Sequence, residues 1–101
     1  MDKNDAIKLS KNYVEKLKQN RIDVLDAWLF GSYAKGNFHD DSDIDLALVV
    51  PENILSFDTD VQLMTLRKGD ETMIETHTYS PREFSTNIPI VSQIKQFGFQ
   101  L

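Results

Sequence analysis

Apolar residues near the start of the chain recur at helical spacing. Over residues 4–19, Ile7, Val14 and Leu17, with Tyr13 beside them, are separated by polar positions, which predicts an amphipathic helix. Asn20 and Arg21 break that pattern. Residues 24–30, VLDAWLF, switch to a period of two and read as a strand: Leu25, Ala27 and Leu29 share one face, and Val24, Asp26, Trp28 and Phe30 the other. Gly31 ends the strand, and a short helical segment runs from about Ser32 to Gly36. The run DIDLALVV, residues 43–50, reads as a second strand that stops at Pro51.

The second half repeats the alternation. A helix is expected over 58–68, capped by Asp58, with Val61 and Met64 facing inward and Gly69 as its end. TMIETHTY, residues 72–79, has the β-branched and aromatic content of a third strand. Ser80-Pro81-Arg82-Glu83 is a capping box with proline at the first helical position, and it opens a brief helical turn. A last helix starts near Pro89, with Ile90, Val91, Ile94 and Phe97 on its apolar side and Gly98 at its close. Phe99–Leu101 completes the pattern as a short strand. This order predicts an α/β (α+β) fold: a small mixed β-sheet with helices packed mainly on one face.

Length and composition narrow the picture. The 101 residues suit one domain, 1–101, and 41% hydrophobic with 27% charged residues is the balance of an ordinary globular protein. No apolar run approaches the ~20 residues of a membrane span, and the charged N-terminus carries no secretory stretch, so a cytoplasmic protein is expected. The absence of cysteine excludes disulfides and thiolate metal sites. A net charge of −5, with Lys3, Lys8, Lys11, Lys16 and Lys18 spread along one helix as a solvated face, argues against a nucleic-acid partner.

The chemistry concentrates in residues 31–46, GSYAKGNFHDDSDIDL. On a strand, residues two apart point the same way, so Asp43 and Asp45 present their carboxylates on one face while Ile44, Leu46 and Leu48 face the core. Two such charges a few ångströms apart repel by roughly 1–4 kcal/mol at the effective dielectric of a protein surface. A divalent cation between them reverses that term, and hard oxygen ligands suit Mg²⁺, or Mn²⁺, rather than zinc. The Gly31-Ser32 turn supplies the complementary half, because a glycine between strand and helix lets backbone N–H groups approach a phosphate. The Ser32 hydroxyl and the Lys35 ammonium add donors. Glu75, in mid-strand, becomes a third carboxylate if strand 72–79 lies beside 43–50.

Plainer readings compete. Asp41, Asp43, Asp45 and Glu52 fall at positions 1, 3, 5 and 12 of an EF-hand loop, but that loop needs glycine at its sixth position, where Leu46 stands. A polar turn alone explains the acids until they are joined to Gly31-Ser32 and the apolar strand. His77 shares a face with Glu75, yet a lone histidine is usually structural. Asp26 reads as structural or solvent-facing and Trp28 as core, while Tyr33 and Phe38 lie near enough to the turn to touch a nucleoside.

Gly31-Ser32, Gly36 and Ser42-Asp43-Ile44-Asp45-Leu46 resemble the signature of the polymerase-β-like nucleotidyltransferases, and at this length the chain resembles the minimal nucleotidyltransferase (MNT) group. The resemblance implies a nucleotidyltransferase-like fold and transfer of a nucleoside monophosphate, AMP from ATP, to a hydroxyl, with two Mg²⁺ ions. By motif match Gly31 and Ser32 hold the triphosphate, joined by Lys35 and Ser42. Asp43 and Asp45 bind the metals, and Glu75 is the match proposed for the third acid. Larger relatives carry a second domain that shapes the acceptor pocket, for which this chain has no room. Minimal members are commonly paired with a HEPN-type toxin and act as its antitoxin, some by adding AMP to a tyrosine. That leaves two functions open: a protein-modifying nucleotidyltransferase, or a nucleotide-binding module that neutralises its partner by binding alone. A homo-oligomer is compatible with either.

Overall fold

The computed structural model describes residues 1–101. Its elements follow the expected order: α1 (Lys3–Gln19), β1 (Asp26–Phe30), α2 (Ser32–Lys35), β2 (Ile44–Val49), α3 (Phe57–Thr65), β3 (Ile74–Tyr79), α4 (Pro81–Phe84), α5 (Pro89–Phe97) and β4 (Phe99–Gln100). Two 3₁₀ turns, Glu52–Ile54 and Gly69–Met73, flank α3. The four strands make one mixed sheet in the order β3-β2-β1-β4. β1 is antiparallel to both β2 and β4, and β2 runs parallel to β3. A parallel pair needs a long crossover, and residues 50–73 with α3 provide it. No helix is long and apolar enough to cross a membrane.

The alternation in β2 decides which way the sheet faces. Ile44, Leu46 and Leu48 are fully buried, and they join Ala27, Leu29 and Ile74 in the larger core beneath α1, α2 and α3. On the opposite face Ala47 and Val49 meet Phe84 of α4 and Val91 and Ile94 of α5 in a smaller core, with Trp28, Phe30 and Tyr79 packed against it. The α/β fold with its small mixed sheet is therefore as the sequence predicts, and most of the apolar burial lies on one face. α4 and α5 cover the part of the second face around Ala47 and Val49, while the end that carries Asp45 and Glu75 stays open.

Several local expectations change. Ser56, not Asp58, caps α3: its Oγ accepts from the Thr59 N–H at 3.2 Å. Thr59 and Leu63 are the buried residues of α3, so Val61 and Met64 point to solvent, 40% and 60% exposed. The helix also ends at Thr65, and Gly69 opens the following 3₁₀ turn instead of closing the helix. In α5 only Val91 and Ile94 are buried, and Ile90 and Phe97 are exposed. Leu25 lies before β1 and is exposed.

Long-range polar contacts fix the crossover. The Tyr13 hydroxyl donates to the Leu63 carbonyl, tying α1 to α3, and burial of that phenol pushes its pKa up to about 12. Lys16 Nζ donates to the Leu66 carbonyl at 2.7 Å and pairs with Glu71. At the other edge of the sheet, Asp26 accepts from Trp28 Nε1 at 2.9 Å and from Gln100 Nε2 at 3.0 Å, which makes it structural.

Leu46→Ala tests how firmly the apolar row of β2 holds the sheet. A fully buried leucine cut to alanine loses transfer free energy and leaves a cavity, so the variant should be less stable by about 2–5 kcal/mol in urea unfolding.

Candidate functional site

Three strand ends meet at the open part of the sheet. The register pairs Phe30 of β1 with Asp45 of β2, and Asp45 with Glu75 of β3. Asp45 and Glu75 are thus neighbours across a parallel ladder, on the face opposite the larger core. His77, two residues beyond Glu75, shares that face and pairs in register with Ala47. A carboxylate oxygen of Asp45, one of Glu75 and a ring nitrogen of His77 all lie within 4.8 Å of one another. His77 Nε2 is 3.2 Å from Asp45 Oδ1, and its ring sits edge-on to Phe30 with centroids 5.0 Å apart.

Gly31 forms the wall beside this cluster. Its φ of +77° and ψ of −151° lie in a region open essentially to glycine alone. A Cβ there would stand 2.2 Å from Asp45 Oδ2. The position therefore demands glycine twice, once for the backbone turn and once for the space that the carboxylate occupies. Ser32 follows as the first residue of α2, and α2 closes at Gly36, whose left-handed φ of +83° lets its N–H donate back to the Ser32 carbonyl at 2.9 Å.

The remaining sequence candidates are placed as follows. Asp43 is exposed in the segment just before β2, and the three-residue cluster does not include it. Ser42 Oγ accepts from the His39 N–H at 2.7 Å and so shapes the loop. Lys35 ends α2 with its ammonium 5.6 Å from the Phe97 ring centroid, drawn toward α5. Tyr33 is almost wholly buried and stacks on Phe38 at 4.4 Å, which makes it core and removes it from contact with a nucleoside. His77 is the residue that sequence reasoning set aside. Its signal was present in the alternation of β3, where Glu75 and His77 share parity, but the register with β2 was needed to read it.

The electrostatics are consistent with this geometry. The hydrogen bond to Asp45 raises the His77 pKa above its ordinary 6.5, burial opposes that, and the charges of Asp45 and Glu75 add to the rise. The donor set fits a divalent ion. Two hard carboxylate oxygens and an imidazole converge on one small volume, against a glycine wall with no Cβ.

Three outcomes follow from these contacts. In the metal-free protein the His77 ring should titrate above pH 6.5 by proton NMR and fall back toward that value in Asp45→Asn. Because the folded pKa is raised, the stabilisation linked to it is fully present below about pH 6.5, the unfolded value, and lost as pH rises through the folded pKa. His77→Ala should therefore cost more stability at pH 5.5 than at pH 9. Gly31→Ala should displace the Asp45 carboxylate, lower the His77 midpoint and cost about 1–3 kcal/mol in denaturant unfolding.

Comparisons with known proteins bear on the family and the fold. Residues 11–96 match the family model described as polymerase beta, nucleotidyltransferase. No curated protein matches the chain. Among solved structures, a protein from Sulfolobus solfataricus described as a candidate nucleotidyltransferase superposes with a TM-score of 0.68 at 20% identity, over 97% of this chain and 80% of that one. A mutant of the toxin–antitoxin MntA–HpeT gives 0.58 at 24% identity, over 99% and 72%. A toxin–antitoxin with AMP-PNP gives 0.55 at 27% identity, over 88% and 69%. With a family match over most of its length, this chain belongs to the polymerase-beta nucleotidyltransferase family.

Proposed function

We propose that the protein transfers AMP from ATP to a hydroxyl on a protein side chain, and that it acts as the antitoxin of a HEPN-type toxin. The observation that carries this reading is the pairing of Asp45 with Glu75 beside the Gly31 wall. The similarity to toxin–antitoxin structures, one of them with AMP-PNP, supports the choice of partner and nucleotide.

In this reading the residues keep the roles that the sequence motif suggests. The backbone at Gly31 and Ser32 cradles the triphosphate, with Lys35 and Ser42 at its margins. Asp43, Asp45 and Glu75 hold divalent ions, two Mg²⁺ in this reading, or Mn²⁺. When bound, such ions neutralise charge on the phosphate oxygens and lower the pKa of an attacking hydroxyl. The acceptor oxygen forms its bond to the α-phosphorus, the bond from that phosphorus to pyrophosphate breaks, and Glu75 takes the hydroxyl proton. Glu75 suits that task because it is exposed. It stands on the edge strand β3, on the open face of the sheet opposite the larger core. An acceptor approaching that open face reaches Glu75 without crossing the core.

The experiment is label transfer from [α-³²P]ATP to the partner with Mg²⁺. The double variant Asp43→Asn/Asp45→Asn should lose transfer by about a thousandfold, the equivalent of roughly 4 kcal/mol of transition-state stabilisation. Glu75→Gln should lose it as well, with the circular dichroism unchanged. Toxin neutralisation that survives in the double variant would mean that binding alone suffices.

A further inference from the structure

We propose that His77 is a metal ligand, so that the site formed with Asp45 and Glu75 binds a transition ion, with Mn²⁺ as its probe, in preference to Mg²⁺. The inference rests on the reading of this cluster as a metal centre. It goes beyond that reading in the ligand set and in the metal preference that follows from it.

The distances suit a shared ion. In an octahedral site with metal–ligand bonds of about 2.1 Å, adjacent ligand atoms lie about 3 Å apart and opposite ones about 4 Å. His77 Nε2 and Asp45 Oδ1 are 3.2 Å apart, and the Glu75 oxygen lies within 4.8 Å of both. Small side-chain movements bring all three onto one ion. The supports are rigid: Glu75 and His77 stand two apart on one strand, Asp45 is beside Glu75 on the next, and Phe30 holds the imidazole edge-on. Asp43 is not within this set, so the donors gathered at this point are two carboxylates and one imidazole nitrogen.

That nitrogen changes the selectivity. Mg²⁺ favours oxygen donors and keeps its waters, whereas imidazole suits first-row transition ions. A site of two carboxylates and one imidazole therefore discriminates against Mg²⁺ in a way that three carboxylates do not. The competing role for His77 is a hydrogen bond to Asp45 that persists when the ion binds, with the ring outside the coordination shell.

The two roles separate in the full chain without nucleotide. Mn²⁺ is titrated into wild type and into His77→Ala and His77→Gln, and the bound ion is examined by electron spin-echo envelope modulation. Ligation by His77 should give ¹⁴N modulation in wild type that both variants lack. It should also give a loss of Mn²⁺ affinity of at least about tenfold in each variant. Mg²⁺ affinity, measured by displacement of Mn²⁺, should change much less, so that the Mn²⁺/Mg²⁺ preference collapses. Circular dichroism of the variants checks that they fold. Bound Mn²⁺ without nitrogen modulation, an unchanged preference in the variants, or no Mn²⁺ binding would overturn the proposal. Nitrogen-ligated Mn²⁺ in a protein that transfers no label would leave this site standing and sink the catalytic reading. Transfer by a protein whose bound Mn²⁺ shows no nitrogen would do the reverse.

Discussion

The parallel pairing of β2 with β3 is the constraint on which the rest depends. Ile44, Leu46 and Leu48 are fully buried against the helices of the larger core, so β2 cannot slip by one residue without turning Asp45 into that core. Burying an unpaired carboxylate costs several kcal/mol or more, far beyond what a shifted ladder recovers. The hydrophobic row therefore fixes the acid. The ladder then fixes its neighbour, because Ile74 is buried with the same parity and leaves Glu75 opposite Asp45.

Contacts remote from the site deliver β3 to that register. The crossover of residues 50–73 is long, and ordering it costs conformational entropy. α1 offsets part of that cost by gripping the crossover at several points: Tyr13 on the Leu63 carbonyl, and Lys16 on the Leu66 carbonyl and Glu71. Arg67 then reaches the Ile74 carbonyl at 2.7 Å, at the first residue of β3. The helix that opens the sequence thus helps to set the position of Glu75, far along the chain, through hydrogen bonds rather than direct contact.

The cluster carries a built-in electrostatic cost. Asp45 and Glu75 are adjacent at a half-open edge, where water screens them only in part. His77 moderates that repulsion by bonding to Asp45. Gly31 keeps the carboxylate's space clear on the other side. Evolution commonly retains such local strain where function needs it, with stability supplied elsewhere in the fold. Here the compensation is the well-filled core one layer below.

The element order, the fold class and the polarity of β2 were legible in the sequence, because periodicity and punctuation are local signals. The capping box at Ser80–Glu83 and the glycine end of β1 were equally clear for the same reason. The phase of α3 was not: Val61 and Met64 look like core residues, yet the helix turns Thr59 and Leu63 inward, since the sheet beneath decides which stripe is covered. Tyr33 likewise sits near the glycine turn in sequence and inside the core in space. The sequence by itself determined that acids and a glycine turn would share one strand-turn-strand unit, because a strand's two-residue period is set by its own backbone. Only the tertiary structure decided that β3 runs parallel beside β2 and carries Glu75 and His77 to Asp45, because strand pairing depends on the packing of residues far apart in the chain.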